Sequence, residues 1–287
     1  MRDRHEIYLA QHVRRIRLRD TRVVPLKLES TETMVRQLEE YRPDLIVHTA
    51  GMTSVDQCER EPQKAHEANA VLARNVAQAT AHLGLRLIHI STDHLFAGTR
   101  SFYHEDESPE PLNVYARTKF LAEQWVQAAY PAALMIRTNF FGWGHRFRKS
   151  FSDWILSTLA AGQPLDVFDD ANFTPILVDR LALAAHRLSA MGLTGIYHVV
   201  GSDRVSKYEF AARLARRFAL PEGLIRHARI SETRLPARRP PDMSLDNAKA
   251  RAALGASLGT LDEYFEALRH QQQMGQKLEL LEAVSEG

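Results

Sequence analysis

Strand-like and helix-like segments alternate through the first half of the chain, and this alternation constrains the fold more than any other feature. Short apolar runs predict strands, and longer stretches of helical periodicity between them predict helices. Such alternation is typical of an α/β fold with a parallel sheet. The predicted strands are 7–10, 23–28, 45–49, 85–90 and 133–137, and the predicted helices are 31–41, 63–83 and 113–129. Ser30 is expected to cap the first helix and Gly84 to close the second.

The pattern changes after Arg137, where predicted helices alternate with short strands and connections rich in proline and glycine. These later helices are predicted over 151–160, 178–190, 206–218 and 245–254. We therefore expect a sheet domain over 1–138, a smaller lobe mainly over 139–260, and a helical tail over 261–287. The tail is charged and amphipathic, which favours a solvated segment or an oligomer contact.

Composition excludes several classes of protein. Hydrophobic residues make up 45% and charged residues 25% of 287 residues, and no apolar run is long enough to cross a bilayer. The net charge is +2, and the basic residues do not form the stripe that lines a nucleic-acid groove. One cysteine, Cys58, allows no intrachain disulfide and no multi-cysteine metal site, and no metal is expected. With no secretory signal, these features favour a cytoplasmic protein without a membrane or nucleic-acid partner.

Two groups of polar side chains suggest the chemistry. Ser91, Thr92 and Asp93 follow a predicted buried strand, at the edge where open α/β sheets place their active sites. Tyr115 and Lys119 lie four residues apart and therefore share a helix face. The Lys119 ammonium is expected to lower the pKa of the Tyr115 phenol toward the range of a proton shuttle. With Thr92 bonding a substrate carbonyl, this set predicts reduction by hydride from a nicotinamide.

These residues belong to a longer series of motifs. The series comprises 43–51 (PDLIVHTAG), 55–59 (VDQCE), 90–96 (ISTDHLF), 115–119 (YARTK), 136–138 (IRT), 239–240 (RP) and 244–246 (SLD). Over about Asp44 to Gly255 the chain resembles an extended short-chain dehydrogenase/reductase, and within that superfamily the dTDP-4-dehydrorhamnose reductase group. The resemblance implies a Rossmann-like, doubly wound parallel sheet over 1–138 that binds a dinucleotide, with a smaller C-terminal lobe that binds substrate.

The resemblance also implies particular roles. Its catalytic residues are Thr92, Tyr115 and Lys119, with Asn69 as a supporting member. Its cofactor-binding residues are Arg14, Arg15, Thr49, Ala50, Gly51, Asn69, Ser91, Lys119 and Arg137. Its substrate-binding residues are Asp93, His94, Asn139 and Arg239. The implied cofactor is NADP or NAD, with NADPH favoured because a guanidinium such as that of Arg14 or Arg15 suits a 2′-phosphate. The implied partner is a nucleotide-linked sugar, and a homodimer is possible on the same resemblance.

His94 departs from the family pattern, which usually has tyrosine at this position. A histidine here is equally compatible with a ligand contact and with a hydrogen-bonded loop residue. It also bears on the reaction, since a dehydratase of this superfamily would have glutamate after the aspartate. Reduction of a 4-keto-6-deoxy sugar is therefore the leading prediction. A sugar-nucleotide epimerase and a non-catalytic regulatory subunit of the same fold remain alternatives.

A glycine-rich turn such as G-x-G-x-x-G is missing ahead of these motifs. In the superfamily a first strand, this turn and a helix hold the cofactor's pyrophosphate and precede the segment that 5–11 resembles. Met1 is expected to mark a truncated or misassigned start rather than a natural short form. The fold should then have a groove where that strand belongs, or an exposed edge beside 45–49, and the chain should bind dinucleotide poorly.

Overall fold

The computed structural model describes residues 5–11, 15–145 and 148–285. Its strands are β1 Ile7–Gln11, β2 Arg15–Ile16, β3 Thr21–Pro25, β4 Leu45–His48, β5 Arg86–Ile90, β6 Leu134–Arg137, β7 Phe140–Phe141, β8 Leu165–Phe168, β9 Asn172–Phe173, β10 Ile176–Leu177, β11 Gly195–His198, β12 Val205–Ser206, β13 Ile225–Ala228 and β14 Val284–Ser285. Its α-helices are α1 Thr31–Tyr41, α2 Val55–Arg60, α3 Pro62–His66, α4 Leu72–His82, α5 Val114–Ala129, α6 Phe151–Ala160, α7 Val178–Ala190, α8 Lys207–Arg217, α9 Ala248–Leu254, α10 Leu261–Gln273 and α11 Gln276–Glu282.

Local sequence signals set the ends of the helices that flank the sheet. The Ser30 side chain accepts a hydrogen bond from the backbone N–H of Thr33 and caps α1. Gly84, just after α4, has a φ of 63°, which glycine adopts without strain. A π-helical segment, Glu67–Val71, joins α3 to α4, so the single helix predicted over 63–83 is continuous but irregular. Such π-helical turns are frequent at functional sites.

Four parallel strands form the central sheet in the order β11-β6-β5-β4. One face packs on residues of α1, α4 and α5, such as Met34, Val76 and Val126. The other face packs on the larger core of the second lobe, to which Ile88 and Ile136 contribute. Helices therefore cover both faces of a parallel sheet, as the predicted doubly wound α/β fold requires.

A groove separates this sheet from the first strands of the chain. Strand β1 pairs in parallel with β3 in a two-stranded sheet of its own, and among the described residues no strand pairs with the free edge of β4. The groove has a volume of about 260 Å³. Its walls are mainly apolar and include Leu9, Val24 and Leu26 on one side and Leu45 and Val47 on the other. Val47 is 49% exposed, although it lies in a sheet strand. The prediction of a groove at the place of a first strand, or of an exposed edge beside 45–49, is therefore confirmed.

The second lobe contains most of the chain after Arg137, but it does not contain all of it. Strand β11 returns to the central sheet beside β6. Helix α10 is part of the lobe's core, where Phe265 is fully buried and its ring centre lies 5.8 Å from that of Phe141. The interpretation of 261–286 as a solvated tail or oligomer contact is therefore wrong for α10. Strand β14 pairs with β2, so the end of the chain packs against its beginning. No helix in the described part of the chain is long and apolar enough to span a membrane.

Candidate active site

Strand β5 and helix α5 together position the predicted catalytic side chains. Ser91 and Thr92 follow β5 directly, and Tyr115 and Lys119 lie on the buried face of α5. The Asn113 side chain caps α5 by accepting a hydrogen bond of 2.9 Å from the Ala116 N–H, which fixes where the helix starts. The chain therefore holds this constellation by regular structure on both sides rather than by flexible loops.

The site opens into a cavity of about 560 Å³, which we call the reaction pocket. Most of the residues expected at the reacting carbonyl and the sugar line this pocket. Those of the predicted set are Thr49, Ser91, Thr92, Asp93, His94, Tyr115 and Asn139. Lys119 does not line it; its ammonium donates a 2.7 Å hydrogen bond to the Ile90 carbonyl at the end of β5. Lys119 thus lies behind the pocket wall, four residues along α5 from Tyr115.

Burial dominates the protonation of this pair. It raises the pKa of Tyr115 to about 12, against the lowering effect of a hydrogen bond with Thr92, while the charge of Asp93 raises it further. Burial also lowers the pKa of Lys119 to about 8, which the charge of Glu123 opposes. The prediction that the pKa of the phenol falls toward the range of a proton shuttle is therefore wrong for this structure, because burial outweighs the effects that lower it. The consequence is a phenol that stays protonated at neutral pH and can donate its proton.

Asp93 and His94 form the polar wall of the reaction pocket. The Asn139 side-chain amide donates a 2.6 Å hydrogen bond to Asp93 Oδ2. Burial raises the pKa of Asp93 to about 6, although the charge of Lys207 lowers it. Burial lowers the pKa of His94 to about 3, helped by the charges of Lys207 and Arg239. The His94 ring, neutral at pH 7, packs edge-on against Tyr115 with ring centres 5.6 Å apart.

An adjoining pocket of about 260 Å³ shares His94 with the reaction pocket. Arg239 and Lys207 supply its positive charge, and Phe151 and Trp154 supply aromatic surface. The Arg239 guanidinium is held by Asp56 at 2.8 Å. The Lys207 ammonium lies 3.3 Å from the centre of the Phe173 ring. Lys207 was not among the predicted residues, because the sequence places it far from both motifs and only the packing of α8 brings it here.

The loop after β4 connects the groove to the reaction pocket. Thr49 lines both cavities, Ala50 lines the groove, and both residues are exposed. Asn69, in the π-helical segment, accepts a 2.7 Å hydrogen bond from Met52 N and donates one of 3.0 Å to Thr118 Oγ1. A Cβ atom at Gly51 would lie 2.7 Å from Asn69 Oδ1, so the close approach needs glycine. Asn69 therefore positions the loop from behind and does not line either cavity.

The position of Arg137 differs from the cofactor-binding position predicted for it. Its guanidinium is 2% exposed and forms a two-pronged ion pair with Glu123, whose closest N–O distance is 2.8 Å. It packs over the Phe96 ring at 5.5 Å and lines neither the groove nor the reaction pocket. This geometry gives Arg137 a structural role and does not support a contact with the cofactor. Arg14 and the side chain of Arg15 lie outside the described residues, so their predicted role stays a prediction.

Comparison with known proteins agrees with this geometry. The model of a protein family described as "RmlD substrate binding domain" matches residues 5–273. The chain belongs to this family.

A probable low-salt glycan biosynthesis reductase, Agl14 of Haloferax volcanii, is 32% identical over 84% of this chain and 82% of its own length. The dTDP-4-dehydrorhamnose reductase of Escherichia coli is 32% identical over 76% of each chain. The crystal structure of dTDP-4-dehydrorhamnose reductase from Bacillus anthracis in complex with NADP superposes with a TM-score of 0.81. That structure is 27% identical and covers 88% of this chain and 90% of its own. The described residues contain no cluster of three or more side chains suited to a metal ion.

Proposed function

We propose that the protein reduces the 4-keto group of a nucleotide-linked 6-deoxy sugar, with NADPH as the hydride donor. The observation that carries this proposal is the pair of hydroxyls, on Thr92 and a protonated Tyr115, in the wall of a pocket of about 560 Å³. Family membership and the names of the reductases to which the chain is similar support the same reaction.

In this mechanism the two hydroxyls act on the carbonyl oxygen. Thr92 donates a hydrogen bond that holds the oxygen beside Tyr115, and the phenol transfers its proton as negative charge develops there. When bound, the nicotinamide cofactor supplies the hydride. Lys119, held by the Ile90 carbonyl, keeps a positive charge behind the phenol and stabilises the phenolate left after the transfer. Tyr115 must then regain one proton in every turnover.

The described residues fit the two ends of the cofactor unequally. The exposed loop 49–51, which touches the reaction pocket through Thr49, suits the ribose and nicotinamide, because small residues let the backbone approach a ligand. The pyrophosphate usually lies on a glycine-rich turn at a helix N-terminus, and the described residues ahead of β4 contain no such turn. The apolar groove lies beside β4, where this turn would be expected. We therefore expect this 287-residue chain to bind the cofactor weakly.

The substrate is expected to occupy both pockets. The Asp93 and Asn139 side chains and the neutral His94 ring offer hydrogen bonds to sugar hydroxyls in the reaction pocket. The adjoining pocket, with Arg239 and Lys207, suits the diphosphate of a nucleotide sugar. A homodimer and a cytoplasmic location remain proposals that rest on the family resemblance and the composition.

One observation favours a second candidate, epimerisation beside the keto group. Asp93, with a pKa raised to about 6, places a second acid/base group in the pocket that holds Tyr115. A carboxylate there can remove a proton from the carbon next to the carbonyl.

One experiment separates the two functions. The protein is incubated in D₂O with the 4-keto sugar nucleotide, with and without NADPH. Reduction consumes NADPH and forms an alcohol, whereas epimerisation places deuterium next to the ketone without NADPH. No deuterium incorporation, together with no alcohol at NADPH concentrations that saturate the protein, would contradict both assignments.

A further inference from the structure

Helix α5 is attached to the ends of two neighbouring sheet strands by buried charged side chains. The Lys119 ammonium donates a 2.7 Å hydrogen bond to the Ile90 carbonyl, at the end of β5. One turn further along the helix, Glu123 accepts hydrogen bonds from Arg137, the last residue of β6. Tyr115, Lys119 and Glu123 follow one another at intervals of four residues, so they occupy neighbouring positions on one face of α5. The helix that carries the proton donor therefore rests on the sheet through a row of polar contacts.

The ion pair between Glu123 and Arg137 is buried more deeply than bracing of the helix requires. The two side chains are 3% and 2% exposed. Burial removes the hydration of both charges, and apolar side chains of similar volume usually stabilise a fold as well or better. The Nη1 atom of Arg137 is also buried and has no hydrogen-bond partner among the described residues. Stability alone therefore gives a weak reason for charges at these two positions.

The Lys119 ammonium offers a reason for the negative charge. Lys119 is 6% exposed, and its hydrogen bond to Ile90 reaches an uncharged carbonyl. A buried ammonium loses its hydration, so it stays charged only when an anion lies close to it. Burial lowers the pKa of Lys119 to about 8, and the charge of Glu123 opposes this lowering. The carboxylate thus acts on the ammonium across one turn of the helix.

The groups on the sheet side of Lys119 do not supply this negative charge. Burial lowers the pKa of His48, on β4, to about 3, and the charge of Lys119 lowers it further. Burial and then the charge of Lys119 also lower the pKa of His89, on β5. The carboxylate of Asp93 lies in the wall of the reaction pocket, where its charge acts on Tyr115. The two imidazoles are therefore neutral at pH 7, and neither ring can balance the ammonium.

The groups on the helix side contact other parts of α5. The Glu59 side chain, from α2, accepts a 2.9 Å hydrogen bond from the N–H at the first residue of α5. Arg74 of α4 and His66 of α3 lie against the ring of Trp125. Glu67, in the π-helical segment that packs on α5, is exposed. None of these described groups forms an ion pair with the ammonium.

We propose that Glu123 is a positioning residue of the reduction: its carboxylate keeps the Lys119 ammonium charged, and Arg137 fixes that carboxylate in place. The inference rests on the proposed reductase function. In that reaction the proton of the Tyr115 hydroxyl passes to the carbonyl oxygen of the substrate while the carbonyl carbon accepts hydride, and a phenolate remains. Lys119, Glu123 and Arg137 neither gain nor lose a proton in this step. The ammonium balances the charge of the phenolate, and it can do so only while it is charged.

Nuclear magnetic resonance tests the charge of Lys119 without turnover. The ¹³Cε resonances of ¹³C-lysine-labelled protein report the protonation of each of the seven lysines, and Lys119→Met identifies the signal of Lys119. In Glu123→Gln the pKa of Lys119 should fall by at least about one pH unit, the effect of removing one nearby opposite charge. Lys207 is the internal control, because burial also lowers its pKa to about 8, whereas the charge that opposes this lowering is that of Asp93. The Lys207 signal should not shift.

Two further variants separate charge from packing. Glu123→Gln leaves Arg137 buried without its partner, which can destabilise the fold. The double variant Glu123→Leu with Arg137→Met removes both charges and keeps similar volumes, and the pKa of Lys119 should still fall, because it is the charge of Glu123 that raises it. Glu123→Asp keeps the charge, so the pKa of Lys119 should stay within about half a pH unit of its value in the parent. An unchanged pKa of Lys119 in either Glu123→Gln or the double variant would overturn the proposal.

Kinetics at NADPH concentrations that saturate the protein test whether this charge serves turnover. A fall of about one pH unit in the pKa of Lys119 leaves the ammonium charged at about pH 6 but lowers its charged fraction about tenfold at about pH 9. The kcat of Glu123→Gln should therefore be within about twofold of the parent at the lower pH and about tenfold below it at the higher pH. Glu222→Gln, which breaks a matched two-pronged pair with Arg216 on the surface, should behave as the parent at both.

An equal loss of kcat at both pH values would show a structural defect and contradict the proposal, as would no loss at either. If the parent reduces no keto sugar under these conditions, the proposed function fails. The lysine resonances then decide alone whether Glu123 keeps Lys119 charged.

Discussion

The reaction pocket and the groove meet at Thr49, yet they differ in how fully their polar groups are arranged. In the reaction pocket Asp93 is fixed by Asn139, and Tyr115 is held by a regular helix. In the groove the walls are mainly apolar, and the edge of β4 has no strand partner among the described residues. The comparison teaches that the reaction site is built by β5, α5 and the second lobe.

The largest expected effect is on the reaction pocket. Tyr115→Phe removes the proton donor and keeps the ring that packs against His94. Turnover should fall by at least about a hundredfold, the lower end of what a positioned acid contributes. Steady-state reduction of the keto sugar measures this, with Tyr208→Phe in the second lobe as the matched control. Equal turnover by Tyr115→Phe would show that the pocket is not the reaction site.

The second prediction concerns the loop between the two regions. Gly51→Ala places a methyl group 2.7 Å from Asn69 Oδ1 and should destabilise the fold by about 1–3 kcal/mol, as overpacking does. In the double variant with Asn69→Ser the clash is relieved, so its cost should be smaller than the sum of the two single costs. Urea unfolding measures all three. Strict additivity would mean that Asn69 does not support the loop.

The third prediction is a gradual loss of stability in acid. Burial lowers the pKa of His94 and of His198 to about 3, so unfolding lets each bind a proton below its ordinary value of about 6.5. Stability is therefore lost as pH falls from about 6.5 toward 3, by up to about 1.4 kcal/mol per pH unit for each histidine. Asp93 opposes this loss of stability, because burial raises its pKa to about 6. Between about pH 6 and pH 4 its carboxyl group therefore binds a proton in the folded protein but not in the unfolded chain. Urea unfolding from pH 8 to 4 should show the slope, and His198→Gln should reduce it; an equal slope would contradict the assignment.

The helices and strands were predicted from the sequence more accurately than their packing in space. The helices predicted over 151–160 and 178–190 match α6 and α7 residue for residue, because capping and periodicity are local signals. The groove beside 45–49 was predicted from a missing motif. The burial of α10 was not predicted, because a charged amphipathic helix has the same pattern whether its apolar face meets a core or a partner.

The predicted site shows the same limit. Motifs placed Thr92, Tyr115 and Asp93 correctly in one pocket, since strand ends and helix faces follow from the chain itself. Arg137 was assigned to the cofactor, yet it pairs with Glu123 in the interior. The direction of the pKa shift of Tyr115 was also wrong, because burial depends on tertiary packing. Lys207 lines the adjoining pocket through the packing of α8, which no local sequence pattern indicates.

The central claim is that the described residues arrange polar side chains around the reaction pocket, whereas beside β4 they form a mainly apolar groove. Calorimetric titration with NADPH tests it most directly, using this 287-residue chain and a version with an added strand, glycine-rich turn and helix ahead of Ile7. A second added segment, with the turn glycines replaced by valine, serves as the control, since it can fill the groove without holding pyrophosphate. We expect weak or no binding by this 287-residue chain, and binding restored only by the segment with glycines. Tight binding of NADPH by the 287-residue chain would contradict this claim.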